Sequence, residues 1–296
     1  MLFISAVDEF LAHANLVRNL SKATITSYRS DQRLFARFLE SQSVSDIAKI
    51  DRELIDRYIA QQQVQNPKKP TTIRRRCHSL MSLFKFCVSR KHLPFSPAEE
   101  LQIPKKEVYL PVVPSEIEQE IFISTPIYYR KNIWRAKRDS AIVLCFCHLG
   151  ARFSEVKNIK RDDVDLENGT VVLNGKGRKQ RLMPLSSRLI IALRDWLAVR
   201  PKVKNDNLFV SDNGVSALGK SGLRKVFNRH LKRCGITRKG ITPHKFRHAF
   251  CVNLLKKENN LMLVKECMGH RDISTTAIYL HVTNADMKNA IQNTFG

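Results

Sequence analysis

The chain reads as mainly α-helical with one small antiparallel β-sheet, divided into a helical N-terminal domain and an α+β C-terminal domain. Three observations predict this. Through the first hundred residues, apolar side chains recur only at helical spacing. A proline-crowded stretch then breaks the period, with Pro94, Pro97, Pro104, Pro111 and Pro114 close together and Lys105 and Lys106 among them. Later, Asn168-Gly169 and Gly175-Lys176-Gly177 frame the run Thr170-Val171-Val172-Leu173, a pattern of strands and tight turns. A length of 296 residues, 43% of them hydrophobic, suits two cores better than one.

The elements follow in order. Thr24 and Thr26 are suited to cap a helix whose apolar side is Tyr28, Leu34, Phe35, Phe38 and Leu39. Asp51 starts a second, with Leu54, Ile55, Tyr58 and Ile59 inward. Asn66-Pro67-Lys68-Lys69-Pro70 is a break. Thr71 or Thr72 then opens a third helix whose inward positions are Ile73, Cys77, Leu80, Phe84 and Cys87. Arg74, Arg75 and Arg76 leave that stripe and are expected to face outward, where they suit contact with phosphates. These spacings predict a helical domain over residues 1–102, a linker over 103–113 and a second domain over 114–296.

Ser115-Glu116-Ile117-Glu118 has the pattern of a capping box and opens the second domain. Ala141 to His148 is the apolar end of a helix that Gly150 stops. The two turns then give a three-stranded antiparallel meander, with Arg181-Leu182-Met183 on the return strand. Helices resume with Leu189, Leu193 and Trp196 inward, and another carries Leu223, Phe227, Leu231 and Cys234. The other side of that last helix shows Arg224, Lys225, Arg229, Lys232 and Arg233, and Gly235 ends it.

Lys and Arg number 51 against 27 Asp and Glu, a net charge of +24. Such an excess, spread along the chain, favours a polyanionic partner, nucleic acid ahead of membrane or ribosome. The seven cysteines are odd in number and irregular in spacing, which suits reduced thiols. Cys145-Phe146-Cys147-His148 sits in an apolar run and reads as core rather than as metal ligands. The N-terminus lacks a basic region followed by an apolar stretch, and no run approaches the ~20 apolar residues of a membrane span. A cytoplasmic protein, held at the nucleoid, is expected.

The chemistry sits near the C-terminus. His244 and Arg247 are three apart, Gly269-His270 follows, and Tyr279 stands nine residues beyond His270. A tyrosine among cations and imidazoles suits phenolate attack on a phosphodiester. The transition state of that attack places charge on two non-bridging oxygens, which two guanidinium forks fit. Arg247 and Arg152 are the candidates. An imidazole, His244 or His270, accepts the phenol proton. Lys176, at the tip of a Gly-flanked turn, is placed to protonate the leaving 5′-oxygen. The bond energy stays in the phosphotyrosine, so neither metal nor nucleotide is expected as cofactor.

Taken together, these residues resemble the tyrosine recombinases of the phage integrase family, and the length and layout resemble its bacterial Xer-type members. The first arginine motif of that family falls on Arg152 and its acidic position on Glu155. The hairpin lysine falls on Lys176, the H-x-x-R pair on His244 and Arg247, the G-H motif on His270 and the nucleophile on Tyr279. The resemblance implies a core-binding N-terminal domain that closes with the catalytic domain as a C-shaped clamp on double-stranded DNA. It implies short inverted-repeat core sites, a homotetramer or a heterotetramer with a second recombinase, and pairwise strand exchange through a Holliday junction. It also implies a tail, with Met287, Ile291 and Phe295 at helical spacing, that packs on a neighbour or on its own domain. Ala151 and Phe153 depart slightly from the family pattern around Arg152, and the chain begins too close to its first helices for an arm-binding domain. Two rivals share the sequence features: a type IB topoisomerase-like nicking and closing enzyme, and an idle DNA-binding architectural protein.

Overall fold

Helix α1, Phe3–Leu16, buries Phe3, Ala6, Val7, Phe10, Leu11 and Ala14, a core-facing stripe at helical period. Leu2 occupies its N-cap position and makes no side-chain cap, so its start carries no sequence signal. The structure, a computed structural model, describes residues 1–64, 70–104, 113–128, 132–175, 180–236, 238 and 240–269. Contacts divide the chain into two compact units, Met1–Tyr109 and Leu110–Gly296.

In the first unit α2 is Lys22–Ser41, α3 is Arg52–Val64 and α4 is Pro70–Ser89. The cap of α2 is Ser21, whose hydroxyl accepts from Thr24 N at 3.2 Å, and not Thr24 or Thr26. Thr26 instead donates to the Lys22 carbonyl at 2.8 Å, inside the helix. At α3 the expected Asp51 does cap, accepting from Leu54 N at 2.8 Å. Pro70 supplies the first residue of α4, where its missing N–H costs nothing. The inward stripe of α4 is buried throughout, Ile73, Cys77, Leu80, Phe84 and Cys87 alike. Helices α1, α2 and α4 pack on one another around Phe10, Phe35 and Tyr58, with the Phe35 and Tyr58 rings edge to face at 5.0 Å.

In the second unit α5 is Glu116–Ser124, and its capping box is complete. Ser115 Oγ accepts from Glu118 N at 3.2 Å and Glu118 Oε2 accepts from Ser115 N at 2.7 Å. Helix α6, Ile133–His148, is buried on every side from Ala141 to Cys147 and packs against α8, α5 and α10. Among its residues Cys145 and Cys147 are core thiols, and burial pushes the Cys145 thiol up to about 12. A short α7, Phe153–Asn158, leads to strands β1 Val164–Asp165, β2 Thr170–Asn174 and β3 Gln180–Pro184. The strands pair antiparallel in sequence order, with Val164 opposite Val171, Val171 opposite Met183 and Leu173 opposite Arg181. Val171, Leu173 and Met183 turn inward. Four more helices follow among the described residues: α8 Ser187–Val199, α9 Lys220–Arg233, α10 Pro243–Glu258 and α11 Leu261–Met268.

A buried polar network lies inside this core. Asp139 of α6 accepts from Arg138 Nε and Nη2 at 2.9 and 2.8 Å and from Arg229 Nη2 at 2.9 Å. His230 Nε2 meets the same carboxylate at 3.0 Å, while its Nδ1 is 2.9 Å from Thr125 Oγ1. Asp139, Arg138 and His230 are wholly enclosed, so this network ties α6 to α9 from within. No helix among the described residues is long and apolar enough to cross a membrane.

Candidate active site

The site begins where α6 stops. Gly150 takes a left-handed φ of +55°, and a Cβ there would lie 2.4 Å from the Phe250 ring, so the turn requires glycine twice over. The chain then reverses into α7 with Arg152 at its N-cap position. Glu155 folds back over this turn: Oε2 accepts from Arg152 N at 2.7 Å and Oε1 from Arg152 Nη1 at 2.7 Å. An acidic side chain in the first turn of a helix is favoured by the helix dipole as well.

Two further arginines reach the same carboxylate from distant segments. Arg181 of β3 grips it with both ends of its fork, Nη1 to Oε1 and Nη2 to Oε2, each at 2.9 Å. Arg247 of α10 stands 3.8 Å from Oε2. Three guanidinium groups around one carboxylate leave a local positive excess. Burial alone would raise the Glu155 carboxyl, but the hydrogen bonds from Arg181 and from the backbone and side chain of Arg152 hold it down at about 2. Burial, then the charge of Arg152, draws the Arg247 guanidinium down to about 10, which leaves it charged at neutral pH.

The two expected clamp residues differ in access. The Arg152 side chain is 35% exposed, whereas that of Arg247 is 2% exposed. Arg247 donates to the Gly150 carbonyl at 2.6 Å and to the Met268 carbonyl, tying together the ends of α6 and α11. Arg152 Nη2 lies 3.4 Å from the Gly269 carbonyl, and Arg181 Nε donates to the Cys267 carbonyl at 3.0 Å. The turn that leads into His270 is therefore held by all three arginines.

His244 stands at the start of α10, one residue after Pro243, with its ring 4.6 Å from that of His248. Partial desolvation, then the charges of Arg247, Lys245 and Arg152, lower its imidazole below the usual range. It is thereby kept neutral at neutral pH, the state that accepts a proton. Lys176, His270 and Tyr279 lie outside the described residues. Described residues adjoin two of them in sequence: Asn174 and Gln180 are the last pair of the β2–β3 ladder, and Gly269 precedes His270.

Of the arginines expected on the outward side of α4, only Arg75 is exposed. Arg74 is half-buried and donates to the Pro104 carbonyl. Arg76 is buried, 9% exposed, and donates to Gln62 Oε1. The cause is Asp31, a carboxylate enclosed beneath α4: Arg75 hydrogen-bonds to it and Arg76 lies 3.9 Å away. A buried carboxylate needs cations, and it turns Arg76 inward.

Two family patterns match the chain. That of the phage integrase family covers residues 129–286, and that of the phage integrase N-terminal SAM-like domain covers residues 7–91. The chain belongs to the phage integrase family. Among curated relatives it is 31% identical over 287 residues to tyrosine recombinase XerD of Staphylococcus saprophyticus, spanning 95% of each chain. It is 29% identical over 295 residues to tyrosine recombinase XerC of Oceanobacillus iheyensis, covering 96% of this chain and 93% of that one. Its fold is shared with the XerH site-specific recombinase bound to palindromic difH substrate, at a TM-score of 0.78 and 23% identity over 97% of this chain and 83% of that one. The protein is a tyrosine recombinase, an enzyme that cleaves and rejoins DNA.

One residue of this cluster escapes the motif reading. Arg181 shares an inward-facing strand position with Met183, two residues on, while Leu182 between them is 65% exposed. A charge on the core-facing side of a strand was the available signal.

Proposed function

We propose that the chain is a site-specific recombinase whose Tyr279 phenolate attacks a DNA backbone phosphate. Attack forms a 3′-phosphotyrosyl bond and breaks the bond to the 5′-oxygen. The phenol proton passes to His244 or His270, and the leaving oxygen takes a proton from Lys176. Religation runs the same steps backward with an incoming 5′-hydroxyl. Arg152 and Arg247 neutralise the non-bridging oxygens as charge builds on them.

The observation that carries this reading is the cationic cluster around Glu155. It gathers Arg152 and Arg247 from segments far apart in sequence and holds the turn that leads into His270. A neutral His244 beside it supplies a base. The first unit then serves as the DNA-holding half, with Arg75 its exposed contact and Arg74 and Arg76 set behind it, and the two units close on duplex DNA as a clamp. Four protomers on two short inverted-repeat core sites exchange strands in pairs through a Holliday junction. Such a protein works in the bacterial cytoplasm, on nucleoid or mobile-element DNA, in keeping with its bacterial relatives.

A nicked suicide substrate tests the chemistry. Wild-type protein is expected to leave a covalent protein–DNA band on a denaturing gel, and Tyr279→Phe to bind DNA yet leave none. An undiminished band in Tyr279→Phe removes the nucleophile. Strand exchange between two duplex sites separates recombination from simple nicking and closing.

A further inference from the structure

We propose that Arg181 is a positioning residue of the recombination site: by occupying Glu155 with both arms of its fork, it leaves Arg152 free to turn to the scissile phosphate. The inference rests on the proposed cleavage chemistry and deepens it.

Three facts support it. First, Arg181 and Arg152 compete for one carboxylate. Arg181 uses two parallel hydrogen bonds, 2.9 Å each, whereas the Arg152 side chain uses one, at 2.7 Å. A bidentate guanidinium–carboxylate pair is the stronger and more directional of the two. Second, their access to solvent differs: the Arg181 side chain is 14% exposed and that of Arg152 35% exposed. The enclosed arginine keeps the carboxylate; the open one can leave it for an incoming anion. Third, Arg181 is anchored on its other side. Its Nε donates to the Cys267 carbonyl at 3.0 Å, and its Cδ and Nη1 lie 3.4 Å from where a Cβ on Gly269 would stand. It is therefore held between β3 and the turn after α11, unable to follow Arg152 outward.

The physical consequence concerns charge, not shape. A buried carboxylate with a single cation holds that cation tightly, since releasing it strands an unpaired charge. With Arg181 in place, Glu155 stays paired when Arg152 departs. Without Arg181, Arg152 is the arginine left hydrogen-bonded to Glu155, with Arg247 standing 3.8 Å off, and is withheld from the phosphate. A role in mere scaffolding predicts no such dependence on the charge of Glu155.

The test is therefore a rescue. Single-turnover cleavage of the nicked substrate is measured at saturating protein for wild type, Arg181→Ala, Arg181→Ala with Glu155→Gln, and Arg181→Lys. Displacing a clamp residue costs on the order of 100-fold in rate, and that fall is expected for Arg181→Ala. Adding Glu155→Gln is expected to restore about tenfold of it, because an amide no longer retains Arg152 as a charge does. Arg181→Lys, which keeps the charge but lacks the fork, is expected to fall between wild type and Arg181→Ala. It carries the same rescue comparison, with Glu155→Gln added, if the alanine protein does not fold. A double variant as slow as the single one, or slower, overturns the proposal. So does an Arg181→Ala protein that cleaves at the wild-type rate. Absence of a covalent band in the wild-type protein instead overturns the cleavage chemistry, and the role of Arg181 falls with it.

Discussion

Two enclosed carboxylates organise the catalytic unit, and they are built differently. Asp139 joins helix bodies: Arg138 and His230 are wholly enclosed around it, and Arg229 of α9 stands at the edge, 30% exposed. Glu155 is as deeply buried and also has one partly open partner, Arg152, 35% exposed, but its arginines hold the turns at Gly150 and Gly269 rather than helix bodies. Both are held well charged by neighbouring cations, against a burial that opposes it. A carboxylate paired across helix bodies fixes helices. One whose cations line two turns can give up the more open of them to an anion. The contrast predicts that the first network governs stability and the second governs chemistry.

The strongest way to break this contrast is Asp139→Ala. Removing one partner of a buried ion network strands the rest, at a cost of about 3–5 kcal/mol. A large fall in Tm is expected, while protein that remains folded at low temperature should cleave at the wild-type rate. A fall in that rate with Tm unchanged would reverse the assignment.

Arg152→Ala is the matching experiment at the other carboxylate. Loss of one donor to the developing charge is worth about 2.7–4 kcal/mol of barrier, or 100- to 1,000-fold in rate. Stability should move by less than about 1 kcal/mol, since this side chain is a third exposed. Single-turnover cleavage and thermal melts read the two effects separately.

The same comparison shows what was legible in the sequence. Arg152, Glu155 and Arg247 stood out because local spacing marks them, and the structure brings their side chains together. The stripe of α4 and the box at Ser115 were equally plain, since both are written within a few residues. Arg181, Asp139 and His230 were not, because the Arg181–Glu155 and Asp139–His230 pairings join distant segments and nothing local announces them. Arg76 misled for the same reason: its inward turn is set by Asp31, one helix pair away. Local rules located elements and motif residues; enclosed charge was visible only in three dimensions.

Acid should sharpen the contrast from the stability side. The Glu155 carboxyl sits at about 2 in the fold, against 4.5 for the free side chain. A depressed carboxyl stabilises the fold above its unfolded pKa, and the gain is lost as pH falls through the folded one. The shift corresponds to about 3 kcal/mol, present above pH ~4.5 and fading toward pH ~2. In Glu155→Gln that share of the acid dependence should vanish from urea titrations run across this range. A curve unchanged from wild type would place the acid sensitivity elsewhere, Asp139 first.

The smallest effect expected is also the most specific to chemistry. His244 has its imidazole lowered by desolvation and by the charges of Arg247, Lys245 and Arg152. Its neutral form therefore persists to lower pH than that of a free histidine, and only that form accepts a proton. Cleavage should stay level through pH 7, and its acid limb should lie lower than the free imidazole value of about 6.5. The stability sign runs the same way: the fold resists protonation of His244, so protonation below that pH weakens it. Base catalysis by one side chain contributes about 100-fold or more. If His244 is that base, His244→Asn should lower the plateau and abolish the acid limb together. If the limb survives while the plateau falls, His244 orients the phosphate and the proton goes to His270 instead. Asp139 provides the control, since Asp139→Asn should shift melting and leave the shape of this rate profile alone.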